Sequence, residues 1–231
     1  MRNVLEYLEA SAARFPDKAA FADEHGAITF RALLAAARRL GSYLARRLEA
    51  KQPIPVLAGR TIETPIAFAA VLAAGCCYVP LDPQMPRLRL EAILRQLESP
   101  LLLCGAGERK IAGELEALCP PVFVGEHLEE PVDPALLESR RAAGLDVDPV
   151  YIIFTSGSTG VPKGIVCHHR GVMDLADWLA GAGGFTAADV LGNQAPFYFD
   201  GSVKDFYMTL KTGAACEILP KKLFSFPKLL V

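Results

Sequence analysis

Hydrophobic residues recur along this chain with two alternating periods. Between Val4 and Phe15 they recur at helical spacing, and the segments KAAFAD and GAITF then flank a turn at His25 and Gly26. This pattern predicts an amphipathic helix followed by two short strands. A second helix is predicted to begin after Thr29, a residue type that caps helix N-termini, with its leucines on one face and most of its arginines off that face.

The alternation of strand and helix continues through the middle of the chain. Strand IPVLA is followed by helix ETPIAFAAVLAAG, which closes at Gly75, and strand YVPL is followed by helix PRLRLEAILRQLES, which opens at Pro86. Strand PLLLC comes next, and then a short helix is predicted over residues 114–118, before strand PVFVG. The Pro-, Glu- and Asp-rich segment HLEEPVDPALLESRRAAGLDVDP is predicted to be a surface loop with one helical turn.

The last third of the chain returns to regular alternation. In order, the pattern predicts strand VYIIFTS, a glycine-rich loop, strand GIVCH, helix RGVMDLADWLAGAG, strand VLGNQA, helix GSVKDFYMTLKTG and strand AACEILP. Uninterrupted apolar strands that alternate with helices predict an α/β fold, with a mostly parallel sheet covered by helices on both faces. The final segment KKLFSFPKLLV predicts a helix cut off after one turn, so we expect this sequence to be the front part of a longer protein.

Composition and charge narrow the range of partners. Hydrophobic residues make up 52% of the 231 residues and charged residues 22%, which excludes a disordered chain. The net charge of -2 leaves no broad cationic field for a phosphate backbone, so nucleic acid is not an expected partner. No stretch reaches the roughly 18 uncharged apolar residues of a membrane span, and Glu6 and Glu9 interrupt the segment where a secretory signal would be apolar. The predicted location is the cytoplasm, with no membrane partner.

The six cysteines form no C-x-x-C pair and no Cys/His spacing typical of a zinc site. Four of them lie inside apolar runs, where a thiol packs as a small buried hydrophobe. The six are Cys76, Cys77, Cys104, Cys119, Cys167 and Cys216. We therefore expect reduced, structural cysteines and no metal site.

The segment YIIFTSGSTGVPKG, from Tyr151 to Gly164, carries the strongest chemical signal. Glycines let backbone amides approach a charged group closely, and the hydroxyls and the Lys163 ammonium add further donors, so the loop suits a polyphosphate. The loop is not a P-loop, because Pro162 stands where that motif requires its second glycine. It is not a Rossmann fingerprint either, because that motif would need glycine at the positions of Thr159 and Pro162. The alternative is a solvent-exposed Gly/Ser linker, which the apolar strand directly before the loop disfavours.

Four segments together resemble the adenylate-forming enzymes, which include amino-acid adenylation domains of nonribosomal peptide synthetases, D-alanine carrier-protein ligases, acyl-CoA and aryl-CoA ligases and luciferases. TSGSTGVPKG resembles their phosphate loop with few departures. The other segments are LAAGCCYVPLDPQMPRLRLEAIL, HHRGV and APFYFDGSVKDFYMTLKTGA, and the resemblance covers nearly the whole chain. It implies that residues 1–231 are part of the N-terminal large subdomain of an adenylation domain, with a candidate internal boundary in the loop 125–149 and the C-terminal subdomain absent.

The resemblance also implies which residues bind substrates. Those expected to hold the ATP phosphates are Thr155, Ser156, Gly157, Ser158, Thr159, Gly160, Lys163 and Gly164. Asp200, in the F-D-x-S element, is expected to pair with the α-ammonium of a substrate amino acid. That role has a physical basis, because a carboxylate in an apolar pocket is costly unless it meets a cation. A simpler interpretation leaves Asp200 as the cap of a helix that begins near Gly201.

The implied activity is the activation of an amino acid to aminoacyl-AMP with ATP and Mg²⁺, followed by transfer to the phosphopantetheine thiol of a carrier protein. The elements that the family uses for ribose, adenine and metal, and its essential lysine, do not occur before Val231. The resemblance therefore implies no catalytic residue within this chain and a fragment that is inactive alone.

Two alternatives stay open, an acyl-CoA or aryl-CoA ligase fragment and a non-catalytic remnant or binding module. The amino acid is not assigned, because HHRGV favours a peptide synthetase and the segment around Asp200 favours a stand-alone ligase.

Overall fold

The computed structural model describes residues 2–155 and 161–224. Its helices are α1 Leu5–Arg14, α2 Phe30–Ala45, α3 Glu63–Ala73, α4 Arg87–Leu97, α5 Arg109–Leu115, α6 Pro134–Ala142, α7 His169–Gly183, α8 Gly201–Thr212 and α9 Lys221–Phe224. Its strands are β1 Ala19–Asp23, β2 Gly26–Thr29, β3 Pro53–Leu57, β4 Cys77–Leu81, β5 Leu102–Cys104, β6 Pro121–Phe123, β7 Pro149–Thr155, β8 Lys163–His168, β9 Val190–Asn193 and β10 Ala215–Ile218. The predicted alternation of helix and strand is confirmed.

Local sequence signals set several of these boundaries. The Thr29 side chain accepts a hydrogen bond of 3.2 Å from the amide of Ala32 and caps α2, as the sequence predicts. Gly75, just beyond α3, has φ +74°, a left-handed conformation that glycine adopts without a steric penalty. Both boundaries depend on residues within one helical turn, which explains why the sequence alone locates them.

The strands divide between two sheets. One sheet has the order β6-β5-β3-β4-β7-β8, and the other has the order β2-β1-β10-β9. Pairing is parallel except between β1 and β2 and between β7 and β8, so the predicted α/β class with mostly parallel strands is confirmed. The sequence pattern suggested one sheet, because strand periodicity does not identify pairing partners. The four-stranded sheet forms because β1 pairs with β10, and this pairing places Phe21 opposite Cys216.

Helices cover both faces of the six-stranded sheet, as predicted. Side chains alternate between faces along a strand. In β3, Val56 packs in the core that also contains residues of α2 and α3, whereas Leu57 packs in a separate cluster with residues of α4 and α5. The sheet is therefore the middle layer of a three-layer arrangement.

Aromatic side chains join the two sheets through a shared core. Phe68 of α3 stacks on Tyr78 of β4, with ring centroids 4.0 Å apart. The same Phe68 ring makes edge contacts with Phe197 and Phe206, and Phe206 stacks on Phe21 of the smaller sheet at 5.6 Å. Burial of such large rings is a main source of stability for the junction. This aromatic core therefore fixes the position of one sheet relative to the other.

The segment before β7 differs from the sequence prediction. A loop with one helical turn is predicted there, but the structure has the nine-residue helix α6. Asp133 accepts a hydrogen bond from the amide of Leu136, and Pro134 occupies the first helical position. Arg140 holds the helix against α2 by donating to the carbonyls of Ala45 and Leu48. The short helix predicted over residues 114–118 also differs, since α5 spans Arg109–Leu115.

All six cysteines are free, and five are buried, with Cys167 half-buried. Burial raises the pKa of the Cys76 thiol to about 11. The four cysteines in apolar runs, Cys76, Cys77, Cys104 and Cys216, are therefore buried as predicted. Within residues 2–155 and 161–224, no helix combines the length and apolarity needed to cross a membrane.

Candidate functional site

A cleft of about 1170 Å³ opens where strands of both sheets end. Arg60 follows the end of β3, Asp82 follows β4, Gln194 follows β9, and Lys221 follows β10, and all four line the cleft. Phe199, just before α8, also lines it. In open α/β folds, ligands bind beyond the carboxyl ends of parallel strands, where the strand order changes. This cleft has that position, and its size suits a small-molecule substrate.

The predicted phosphate loop begins at the same edge. β7 ends at Thr155, and the antiparallel β8 begins at Lys163, which pairs with Thr155. The parallel pairing of Tyr78 with Tyr151 brings Thr155, four residues on, level with Asp82 at the cleft. Five of the predicted phosphate-binding residues, Ser156, Gly157, Ser158, Thr159 and Gly160, lie outside the described residues. The two ends of the loop are therefore described, and they place its base beside the cleft.

Lys163 is available to an anion. Its side chain is exposed, and among the described residues it has no ion pair or side-chain hydrogen bond. The hydroxyl of Thr155 donates to the Lys163 carbonyl at 3.4 Å, which closes the base of the hairpin. The adjacent Pro162 is buried, which anchors the chain directly before β8. Among the described residues nothing neutralises the Lys163 ammonium, and a positive charge of this kind can pair with a phosphate.

Gly164 is required by packing rather than by backbone conformation. A Cβ atom at this position would lie 2.8 Å from Cγ2 of Ile152 and 3.4 Å from Cζ of Phe154. Gly164 pairs with Phe154 across the hairpin. The first distance is too short for two carbon atoms, and Cγ2 sits on the stiff β-branched Cβ of Ile152, so the neighbour cannot move away cheaply.

Gly164→Ala is expected to lower the free energy of unfolding by about 1–3 kcal/mol, since the added methyl group would overlap Cγ2 of Ile152. Urea denaturation followed by circular dichroism measures the change. The control is Gly181→Ala in α7, where a Cβ would have no atom within 4 Å. That variant should be neutral or stabilising, because alanine favours a helix more than glycine does. Equal stabilities of the two variants would contradict the packing argument.

Asp200 stands at the N-terminal end of α8 without acting as a side-chain cap. It is in the N-cap position, but its carboxylate accepts no capping hydrogen bond. Asp200 is exposed, and its neighbours Phe199 and Gly201 both line the cleft. The Ser202 hydroxyl donates to the carbonyl of Phe199 at 2.8 Å and holds the turn. The carboxylate is therefore free to meet a cation, and the interpretation of Asp200 as a cap lacks its hydrogen bond.

Tyr151 lies beneath this turn. It is buried, and burial, the Cys167 thiol and the Asp200 carboxylate all raise its pKa above the ordinary value. Tyr151 consequently stays neutral at physiological pH. Tyr78 and Tyr207 lie deeper, with their hydroxyls 3.0 Å apart.

Arg60 is a cleft residue that no sequence motif predicts. Its Nε donates to the carbonyl of Leu219 at 2.7 Å, and its Nη2 donates to the carbonyls of Asn193 at 2.7 Å and Gln194 at 3.0 Å. Burial lowers the pKa of the guanidinium. Arg60 thus joins the end of β3 in the larger sheet to the ends of β9 and β10 in the smaller one. No local signal distinguishes it, because one arginine after an apolar strand is unremarkable.

Asn193 and Asp205 form a second buried contact at the cleft. The Asn193 amide donates to a carboxylate oxygen of Asp205 at 3.1 Å, and both residues are buried. Burial raises the pKa of Asp205 above its usual value, against the opposing effect of this hydrogen bond. From sequence alone, Asp205 could equally face solvent. Its orientation follows from the parallel pairing of β9 with β10, which brings Asn193 beneath α8.

The two adjacent histidines have structural contacts. His168 accepts a hydrogen bond of 3.0 Å from the amide of Gly171 and caps α7. His169 accepts one of 3.4 Å from the amide of Val4, and burial lowers its pKa to about 4. In the described ranges, no group of three or more His, Cys, Asp or Glu side chains could hold a metal ion.

Comparisons with known proteins identify the family of this chain. The family model described as AMP-binding enzyme matches residues 8–231. The chain belongs to this family. Its relatives include nonribosomal peptide synthetases and carrier-protein ligases, and it shares the mixed α/β fold of the solved synthetase structures.

Three curated relatives illustrate the similarity. Tyrocidine synthase 1 of Brevibacillus parabrevis is 30% identical over 96% of this chain and 20% of its own length. D-alanine–D-alanyl carrier protein ligase of Lacticaseibacillus casei is 29% identical over 96% of this chain and 43% of its own length. Phosphinothricin tripeptide synthetase PhsC of Streptomyces viridochromogenes is 36% identical over 94% of this chain and 20% of its own length. The chain therefore spans less than half the length of each of these relatives.

Solved structures show the same fold. The AMPPNP-bound form of the nonribosomal peptide synthetase FmoA3 has a TM-score of 0.80 and 28% identity, over 93% of this chain and 22% of that chain. The four-domain synthetase AB3403, bound to AMP and glycine, has a TM-score of 0.82 at 22% identity, over 100% of this chain and 16% of that chain. The second likeness concerns the fold alone.

Proposed function

We propose that this chain forms the part of an enzyme that binds the ATP phosphates and the amino group of an amino acid. The enzyme makes aminoacyl-AMP and then transfers the aminoacyl group to the phosphopantetheine thiol of a carrier protein, which releases AMP. Membership of the AMP-binding family supports ATP as a substrate. The names of the relatives support an amino acid and a carrier protein as partners. The observation that carries the amino-acid assignment is the exposed Asp200 carboxylate, which makes no capping hydrogen bond beside the cleft.

Asp200 is proposed to bind the substrate α-ammonium. A bound amino acid would cover the carboxylate and remove it from water, and a carboxylate removed from water needs a cation nearby. The ammonium supplies that cation and fixes one end of the substrate. Phe199, which is 58% exposed at the cleft, would provide an apolar surface beside the pair.

Lys163 and the loop that begins at Thr155 are proposed to hold the β- and γ-phosphates and the departing pyrophosphate. In the proposed reaction the substrate carboxylate attacks the α-phosphorus of ATP, forming the acyl–phosphate bond while the bond to pyrophosphate breaks. The protein's part in such a step is mainly to position groups and neutralise charge. The exposed Lys163 ammonium suits that part. Mg²⁺ would be supplied with ATP, and no residue of this chain is proposed as its ligand.

The function is tested in a complete enzyme that carries this chain. Amino-acid-dependent exchange of radioactive pyrophosphate into ATP is measured with a panel of L- and D-amino acids and with acids that lack an α-amino group. We expect exchange with at least one amino acid and none with the acids. Exchange that depends on a fatty or aromatic acid, with CoA as acceptor, would contradict the proposal and favour an acyl-CoA or aryl-CoA ligase.

The 231-residue chain alone is expected to give no amino-acid-dependent pyrophosphate exchange. The family resemblance places the ribose and adenine contacts and the essential lysine outside it, so the transition state would lose most of its contacts. The same assay measures this, with a full-length D-alanine carrier-protein ligase as the active control. Robust exchange by the chain alone would show that those elements are dispensable.

A further inference from the structure

A second cavity lies at the opposite end of the strands from the cleft. Its volume is about 290 Å³, and α1, α2, the end of α3 and α6 surround it. Lys51 before β3, Cys76 before β4 and Pro149 at the start of β7 all line it, so it lies at the amino ends of these parallel strands. Within the described part of the chain, the cavity and the cleft share no lining residue. The cavity is therefore a separate space from the proposed catalytic cleft.

The floor of the cavity is apolar. Leu34 of α2, Leu72 of α3 and Leu137 of α6 contribute side chains to it, together with the small residues Ala37 and Ala73. The volume is near the lower end of the range of small-molecule pockets, roughly 300–1,000 Å³. It accommodates a compact apolar body rather than an extended chain.

The charges around the cavity leave one cation without an anionic partner. The charged lining residues are Glu9, Arg38, Lys51, Glu138, Arg140, Arg141 and Asp148. Arg38 and Arg141 both pair with Glu9, at 3.4 and 2.7 Å, and Lys51 pairs with Asp148 at 2.8 Å. Glu138 is exposed to solvent.

Arg140 is the cation without an anionic partner. It is half-buried, and its Nη2 donates to the carbonyls of Ala45 at 3.0 Å and Leu48 at 2.5 Å. Among the described residues it forms no ion pair. The positive charge of Arg140 acts on Cys76, which lines the cavity. It lowers the pKa of the Cys76 thiol, although burial raises that pKa by more. His169, which also lines the cavity, is neutral above its lowered pKa of about 4 and adds no competing charge.

We propose that this cavity binds a small monocarboxylic acid with an apolar body. The carboxylate pairs with the Arg140 guanidinium, whose planar donors match carboxylate oxygens. The apolar body contacts the leucine floor. The proposal is independent of the reaction proposed for the cleft, because neither site uses a residue of the other.

The test uses hydrocinnamate and its uncharged amide, titrated into the 231-residue chain by isothermal calorimetry. A hydrogen-bonded charge pair strengthens binding by about tenfold or more, so the acid should bind at least that much more tightly than the amide. Arg140→Met should reduce the affinity for the acid to that for the amide. Leu137→Trp, which fills the floor, should weaken both ligands. Arg95→Met, on the surface of α4 and in neither cavity nor cleft, is the matched control and should change neither affinity.

Circular dichroism first establishes that each variant folds. If Arg140→Met does not fold, the comparison of acid with amide and the effect of Leu137→Trp still decide the question in folded protein. Equal affinities for acid and amide, an acid affinity unaffected by Arg140→Met or Leu137→Trp, or no binding of the acid at millimolar concentration would each overturn the proposal.

Discussion

Replacing Asp200 with alanine in a complete enzyme that carries this chain is expected to lower amino-acid-dependent pyrophosphate exchange by about 100-fold or more. The bound α-ammonium would lose its anion within the cleft, and breaking a desolvated ion pair by removing one partner costs about 3–5 kcal/mol. Asp200→Asn should cause a comparable loss, since it keeps the shape and removes the charge. The measurement is kcat/KM for the amino acid in the exchange assay.

Asp174→Ala provides the control for the Asp200 variants. Asp174 is an exposed carboxylate on α7, and it lines neither the cleft nor the second cavity. Its replacement should leave kcat/KM unchanged within about twofold, as expected for a surface substitution away from the site. Retention of amino-acid activity by Asp200→Ala would remove the basis of the proposed amino-group site. An enzyme that activates acids without an amino group and tolerates the change would be an acyl-CoA or aryl-CoA ligase.

Replacing Arg60 with methionine is expected to lower the free energy of unfolding of the chain by about 2–3 kcal/mol. The guanidinium donates to the carbonyls of Leu219, Asn193 and Gln194, and methionine keeps the apolar stem while removing all three hydrogen bonds. Because these bonds join the two sheets at the cleft, the loss should also weaken binding of ATP in a complete enzyme. Urea denaturation measures the first effect and equilibrium titration with ATP the second.

Arg95→Met separates this role from a general effect of losing an arginine. Arg95 lies on the surface of α4, 4.0 Å from Glu91, and an exposed pair of this kind contributes little. Its replacement should change the free energy of unfolding by less than about 0.5 kcal/mol. If both variants lose the same stability, the sheets are held together by the aromatic core alone, and Arg60 has no special part.

The sequence predicts most helices and strands because their signals are local. Thr29 caps α2 and Gly75 follows α3, and each acts within one turn of the chain. The prediction fails for α6, where prolines and acidic residues suggest a loop. There the cap of Asp133 and the contacts of Arg140 with α2 stabilise a helix whose own residues are not buried. A helix that depends on a distant partner leaves little pattern in its own sequence.

The candidate site likewise combines features that the sequence predicts with features that only the structure shows. The character of the loop that ends at Lys163, and the position of Asp200 before a helix, are visible in short motifs. The contacts of Arg60 and the pairing of Asn193 with Asp205 are not, although Arg60 and Asp205 both line the cleft. Packing also supplies the reason for Gly164, because the atom that excludes a larger residue belongs to Ile152 on the neighbouring strand.

By itself, the sequence determined the order and type of most elements, the absence of a strong net charge and the glycine- and hydroxyl-rich composition of one loop. Those properties depend on composition or on residues close together in the chain. Only the tertiary structure decided that the strands form two sheets and that a cleft opens between their ends. The contact between Arg60 and Asn193 joins positions 133 residues apart, and no local periodicity records which distant groups become neighbours when the core closes.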